Sequence, residues 1–385
     1  MWDCRPLRLT QMAGGYAVEG ENMIVVASQN GSVGIEEAMR VLRAGGPACA
    51  VRAVEAGIRL VEANPEDHTV GYGGYPNLLG EVELDAGLMD GHNRTTGAVG
   101  ALRGYRHPIS VARLVMERLP HVLLVGEGAS RFAAEMGCER GDLLTEEARR
   151  VWERRLQQEP ALAGLTRDEL AGRADLWRWL TWALDPELPF PSFPRSAWEG
   201  QRDAPRRGDS AGPRQSVGAS TEELVETPGQ GTVNFIAQDA GGHLCAGTST
   251  SGWAWKYPGR LGDSPMAGAG FYADDRYGAA TCTGMGEMAI RVCAARSVVF
   301  YLQMGLPLAE AGQRVMQDLA DLGGNYLDRL SIIAVDRAGR HAGFSNMEKR
   351  TYIYLTDDMT APAEASCTCV PTPRRWGTPR HSPET

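Results

Sequence analysis

The chain has 385 residues, of which 43% are hydrophobic and 23% charged, and its formal net charge is −9. This is the balance of a soluble globular protein, and its acidity argues against nucleic acid or an anionic membrane surface as the main partner. No apolar run approaches the ~20 residues that cross a bilayer, and charges and glycines interrupt the N-terminal stretch where a signal peptide needs a continuous apolar core. A cytoplasmic protein is therefore expected. The eight cysteines are scattered, with only Cys367 and Cys369 closely spaced, as reduced thiols are. The seven histidines show no ligand spacing, so neither a metal nor another cofactor is expected.

In chain order, MIVVAS (23–28) is short, apolar and β-rich, a buried strand. GIEEAMRVLRAGG follows as a helix stopped by Gly45 and Gly46. Val51, Val54, Ile58 and Val61 put an apolar stripe on a second helix ending near Asn64. VGYGGYPN reads as a loop, and EVELDAGLMDG as a strand with Leu84 and Leu88 on one side and a mostly polar side opposite. Ser110 is placed to cap a helix, VARLVMERL, ending at Pro120. HVLLVG reads as another buried strand, and ASRFAAEMG as a helix ended by Gly137. Two charged helical stretches follow, LLTEEARRVWERRLQQ and ADLWRWLTWAL, whose tryptophans are packing anchors.

Residues 185–230, dense in Pro, Gly, Ser and Arg, cannot pack and are expected to be a disordered insert. The character changes at Gly231-Thr232. TVNFIAQDAGGHLCAGTSTSGW reads as a β-hairpin in which Thr232 opens the first strand and Thr250 lies across from it. Beyond come a glycine-rich segment, a helix over about 287–304, a further helix LAEAGQRVMQDLADL, the pair LSIIAVDRAGRHAGFSN, the strand TYIYL and a loose tail from about 360 to 385. With the insert set aside, the length fits one large domain of strands and helices.

Gly268 to Ala273 matches a dinucleotide fingerprint in letters only, because it neither follows a buried strand nor opens a helix. The denser signal spans Thr232 to Glu287. A threonine freed as an N-terminus carries nucleophile and base on one residue, whereas an uncut Thr232 is only a β-branched strand residue. Arg260 and Asp263, fenced by Gly and Pro, suit the carboxylate and ammonium of an amino acid, or else pair with each other. Thr283 and Gly284 stand before a helix, ready to hold an oxyanion or simply to cap it. Together they are an inventory for acyl transfer on an amino-acid amide.

The stretch GTVNFIAQDAGGHLCAGTSTSGWAWKYPGRLGDSPMAGAGFYADDRYGAATCTGMGE closely resembles the N-terminal-nucleophile hydrolases of the asparaginase type. So do AVEAGIRLVEANPEDHTVGYGGYPNLLGEVELDAGLMDG, TTGAVGALRG and HVLLVGEGASRFA, giving coverage from about 23 to 356. The resemblance implies an α+β fold, a four-layer αββα sandwich, that cuts itself between Gly231 and Thr232. The products would be an α subunit (1–231) and a β subunit (232–385), pairing into a dimer of heterodimers. Thr232 would then attack a side-chain amide and form a β-aspartyl ester, with Thr250 supporting its hydroxyl. Arg260 would take the substrate carboxylate, Asp263 and the Gly286 backbone the ammonium, and Thr283 with Gly284 the oxyanion. TSGWAWKYPGR looks like the glycosylasparaginase branch, which acts on N4-(β-N-acetylglucosaminyl)-L-asparagine. The alternatives are an isoaspartyl peptidase or L-asparaginase of the same family, and a homologue that never processes itself. Three departures stand out: Gln230-Gly231 replaces His-Asp before the nucleophile, the insert looks foreign, and Ser28-Gln29-Asn30 replaces a tryptophan near the first strand.

Overall fold

The computed structural model describes residues 23–158, 161–176, 231–323, 326–372 and 375–376. The expected insert lies outside them, as does most of the second charged helical stretch. Two sheets organise the described chain, and both contain mainly antiparallel pairs. The larger is built from β1 (Ile24–Ser28), β2 (Leu84–Asp90), β3 (Thr95–Leu102), β4 (Leu123–Val125), β5 (Val233–Gln238), β6 (Leu244–Thr250), β12 (Thr351–Thr356) and β13 (Ala363–Ser366). Their spatial order is β13-β12-β1-β5-β6-β2-β3-β4. The smaller sheet runs β14-β11-β10-β8-β7, from Thr368–Cys369, His341–Ser345, Leu330–Asp336, Gly278–Gly284 and Phe271–Asp274. A two-residue strand β9 (Tyr326–Leu327) pairs with β15 (Arg375–Trp376).

Alternation along each strand decides what it packs against. In the larger sheet one set, including Val25, Ala27, Leu84, Leu88 and Phe235, buries against Val54 and Ile58 of helix α2 (Cys49–Glu62) and against helix α1 (Ile35–Ala44). The intervening residues, Ile24, Val26, Ile236 and Ala246, meet Phe271, Ala279, Ile333 and Val335 of the smaller sheet. On the smaller sheet's other face Ala280, Cys282 and Ile332 pack on Val298, Val315 and Leu319. These last three sit on α8 (Ala294–Gln303) and α9 (Leu308–Ala320), which in chain order come after α4 (Gly126–Glu135), α5 (Glu146–Gln157) and α6 (Arg167–Ala171). Full burial of each large apolar side chain in such layers contributes about 1.5–3 kcal/mol.

Several expectations need correction. Strand β5 begins at Val233, so Thr232 is the residue just before it. The side of β2 opposite Leu84 and Leu88 is polar at Asp85, yet buried, because it faces the second sheet. Helix α3 (Pro108–Arg118) starts with Pro108 behind His107, a proline being pre-set for a first helical turn. Ser110 lies inside it, donating to Glu55 and accepting from Arg59. HVLLVG forms β4, which is parallel to β3 at the sheet's edge, so Leu123 and Val125 are exposed rather than buried. The single helix expected over 287–304 is two, α7 (Gly286–Val292) and α8, broken at Cys293 in left-handed backbone (φ 49°). The N–H groups of Ala295 and Arg296 donate to the carbonyls of Ala269 and Gly268, which redirects the chain. Part of the expected loose tail is in strands: β13 extends the larger sheet and β14 the smaller.

Candidate active site

The antiparallel register of β5 and β6 pairs Val233 with Ser249 and so sets Thr232 level with Thr250. Carried one residue back from β5, the period of two puts Thr232 with Asn234 and Ile236 on the face toward the smaller sheet. Thr232 is buried there. The Thr250 hydroxyl donates to the Gly231 carbonyl at 2.7 Å, with the Thr69 carbonyl 3.2 Å away, and accepts the Gly252 N–H at 2.9 Å. From the second sheet, the last residues of β8 approach the same bond. The Thr283 hydroxyl accepts from the Asn234 amide and lies 3.5 Å from the Thr232 carbonyl. Helix α7 is preceded by Met285 with no side-chain cap, so Thr283 faces the cleft instead of capping the helix.

Behind Thr232 runs a chain of neutral and acidic partners that joins Ser28 and Asn30, noted in the sequence as a departure, to Asp67 and Thr69. The Ser28 hydroxyl donates to Asn30 Oδ1 at 2.6 Å, accepts the Asn234 N–H at 2.9 Å, and sits 3.4 Å from the Thr232 carbonyl. Asn30 donates to Asp67, whose other oxygen accepts both the hydroxyl and the backbone N–H of Thr69. Thr69 explains the glycine at 231. A Cβ built there would lie 2.1 Å from Thr69 Oγ1, so a larger residue requires the loop or the Gly231–Thr232 bond to shift. Asn234 was findable from its i+2 spacing to Thr232. Asp67 and Thr69 were not, and Ser28 stood out only within the Ser28-Gln29-Asn30 departure, because the tertiary fold alone brings the end of β1 and the 63–77 loop to Thr232.

The second half of the cleft is charged. Arg260 and Asp263 do not pair with each other. Arg260 instead gives its Nε and Nη2 to Glu287 at 2.8–2.9 Å, and its guanidinium lies over the Trp253 ring, 4.4 Å from the centroid. Among the described residues no hydrogen bond engages Nη1. Asp263 is buried, and among the described residues its Oδ2 meets no hydrogen-bond donor. Burial pushes its carboxyl up to about 7, against the pull of its own backbone amide and of Arg260. Gly286 opens α7 against it: a Cβ there would be 2.8 Å from Asp263 Oδ1. The loop carrying Arg260 is fixed by Glu83, a buried carboxylate that accepts the Gly259 N–H at 3.0 and 3.2 Å and pairs with Arg103. Lys256 Nζ, also buried, donates to the Glu83 carbonyl.

Gly231, Thr232, Thr250, Trp253, Arg260, Asp263 and Gly284 thus line one narrow cleft, and Thr283 and Gly286 border it through the contacts above. The residues match a family model described as asparaginase over 21–174 and 183–362. The chain belongs to the asparaginase family. It is accordingly a hydrolase acting on amide bonds. Among its relatives, an N(4)-(β-N-acetylglucosaminyl)-L-asparaginase of Elizabethkingia miricola is 33% identical over 313 residues, 80% of this chain and 74% of that one. The protein of that name from Mus musculus is 36% identical over 73% of this chain and 72% of its own. An isoaspartyl peptidase of Salmonella typhimurium is 37% identical over 85% of this chain and 87% of its own. Among the described residues of this asparaginase-family chain no helix is long and apolar enough to cross a membrane.

Proposed function

We propose that this chain is an autoproteolytically activated amidohydrolase whose nucleophile is Thr232, held in a four-layer αββα sandwich formed by the two sheets and their covering helices. The observation that carries this reading is the Thr250 hydroxyl donating to the Gly231 carbonyl at 2.7 Å, next to Thr232 in the cleft that also holds Arg260 and Asp263. In the uncut chain the Thr232 hydroxyl attacks the Gly231 carbonyl, and the C–N bond breaks as an ester forms on Oγ. Thr250, already donating to that carbonyl oxygen, steadies the charge that develops on it. Water then hydrolyses the ester, releasing residues 1–231 from 232–385 and leaving Thr232 with a free α-amine.

In the cut protein the α-amine serves as base while Oγ attacks a substrate side-chain amide. The leaving amine departs, a β-aspartyl ester remains on Thr232, and water releases aspartate. Thr283 and Gly284 hold the oxyanion. The Nη1 edge of Arg260 takes the α-carboxylate, and the unpartnered oxygen of Asp263, with the backbone at Gly286, takes the α-ammonium. The preferred substrate is N4-(β-N-acetylglucosaminyl)-L-asparagine, in line with two of the relatives. A second reading, β-aspartyl dipeptides, draws on Gly231 and on the hydrogen-bonded Ser28–Asn30 turn. Assembly is as two α and two β subunits.

Denaturing electrophoresis tests processing: two fragments are expected, the smaller beginning at Thr232, and a persistently intact active chain overturns the mechanism. Aspartate release from glycosylasparagine against β-aspartyl dipeptides then decides between the two substrates. A pocket contact commonly redirects such specificity by about 1–3 kcal/mol.

A further inference from the structure

At the far end of the strands bearing Thr232 and Thr250, three turns converge. β5 alone separates that end from the nucleophile by six residues, about 20 Å at ~3.3 Å per residue. His92 lies in the β2–β3 turn, His243 in the β5–β6 turn and Asp275 in the β7–β8 turn, so both sheets contribute. One ligand atom from each lies within 4.8 Å of the other two. His243 Nδ1 is 2.9 Å from Asp275 Oδ2, and His92 Nδ1 is 3.5 Å from the same oxygen. The other carboxylate oxygen accepts the Leu244 N–H at 2.8 Å, which aims Oδ2 at the two rings. The backbone of each histidine is fixed as well, His92 N–H to Asp90 and His243 N–H to Asp239.

A tetrahedral zinc ion with ligands at about 2.0–2.1 Å spaces them ~3.3 Å apart. Two of the three edges, 2.9 and 3.5 Å, bracket that value, and the histidine–histidine edge is at most 4.8 Å. Two imidazoles and one carboxylate are also ligand types that suit zinc and its neighbours better than calcium or magnesium. We propose that His92, His243 and Asp275 form a binding site for a zinc-class divalent cation, with water completing the coordination. Bound there, the ion ties a turn of the smaller sheet to two turns of the larger one. Its effect falls on stability by preferential binding to the folded state, and amide hydrolysis does not depend on it.

The test is isothermal titration calorimetry of untagged full-length protein with zinc chloride, alongside a melting curve with and without zinc. One ion per chain and a raised Tm are expected. Both histidines are exposed at the side chain, so a His92→Gln, His243→Gln double variant should fold and hydrolyse amides normally while binding zinc at least tenfold more weakly. Asp275→Asn should weaken binding likewise. No zinc heat up to millimolar concentration, or equal affinity in the double variant, overturns the proposal.

Discussion

The two halves of the cleft are built by different physics. Around Thr232 the groups in contact are mostly hydroxyls, amides and carbonyls, positioned by strand register and by a hydrogen-bonded relay from Ser28 to Thr69. Around Arg260 they are full charges: Glu287 holds the guanidinium, and Glu83, itself paired with Arg103, holds the Gly259 N–H. A sheet register places an atom without adding a field, which suits a nucleophile that must stay uncharged until it reacts. A charged loop adds field and tolerates adjustment, which suits a clamp for a zwitterion. Damage to the first half should therefore appear in rate and processing, and damage to the second in KM.

The largest effect is expected for Thr232→Ala. It should leave one uncut chain on denaturing gels and lower aspartate release at least ~10⁴-fold, since removing a nucleophile is not compensated by its neighbours. Gly231→Ala comes next. Its Cβ collides with Thr69, and a displacement near 1 Å at a reacting bond costs ~100-fold, here in the rate of fragment appearance. A Gly231→Ala, Thr69→Gly pair should recover part of that rate; if it does not, Thr69 is not the obstacle. Arg260→Ala should raise KM ~10–100-fold, the worth of a charged hydrogen bond, with kcat changed little. Equal loss in kcat and kcat/KM would move Arg260 from the clamp into the chemistry.

Asp263 gives the comparison a pH axis. Its carboxyl titrates at about 7 instead of 3.8, so kcat/KM should fall as pH drops below 7 and the ammonium loses its partner. The stability sign is opposite. Between those two values the folded state holds a proton that the unfolded chain has lost, so stability declines as pH rises through this window. Asp263→Asn should therefore melt higher than wild type at pH 8 while binding substrate poorly, measured by thermal scans and initial rates. The smallest effect is Glu83→Gln, a KM increase of about fivefold from loosening Gly259, or roughly 1 kcal/mol.

The sequence exposed the nucleophile half better than the clamp. Period-two alternation and one hairpin turn sufficed to set Thr232 against Thr250, because register is a local property. Arg260 and Asp263 were visible as a pair of opposite charges on a Gly- and Pro-fenced loop, yet their real partners were not. Glu287 is 27 residues from Arg260, and Glu83 directly precedes β2, on the other side of the insert. The fold errors have the same origin. Cys293 breaks a helix because carbonyls of a distant loop capture its second half, and β4 is exposed because no strand lies beyond it in the sheet. Neither fact is written in local periodicity.

β1 comes from before residue 231, yet it sits between β5 and β12, which both come after it, and the pair β2–β3 hangs from β6. A cut at 231 therefore yields two polypeptides woven through a common sheet. They can part only by unzipping three ladders together, so after hydrolysis of that one bond the fragments stay associated for as long as the sheet stays folded.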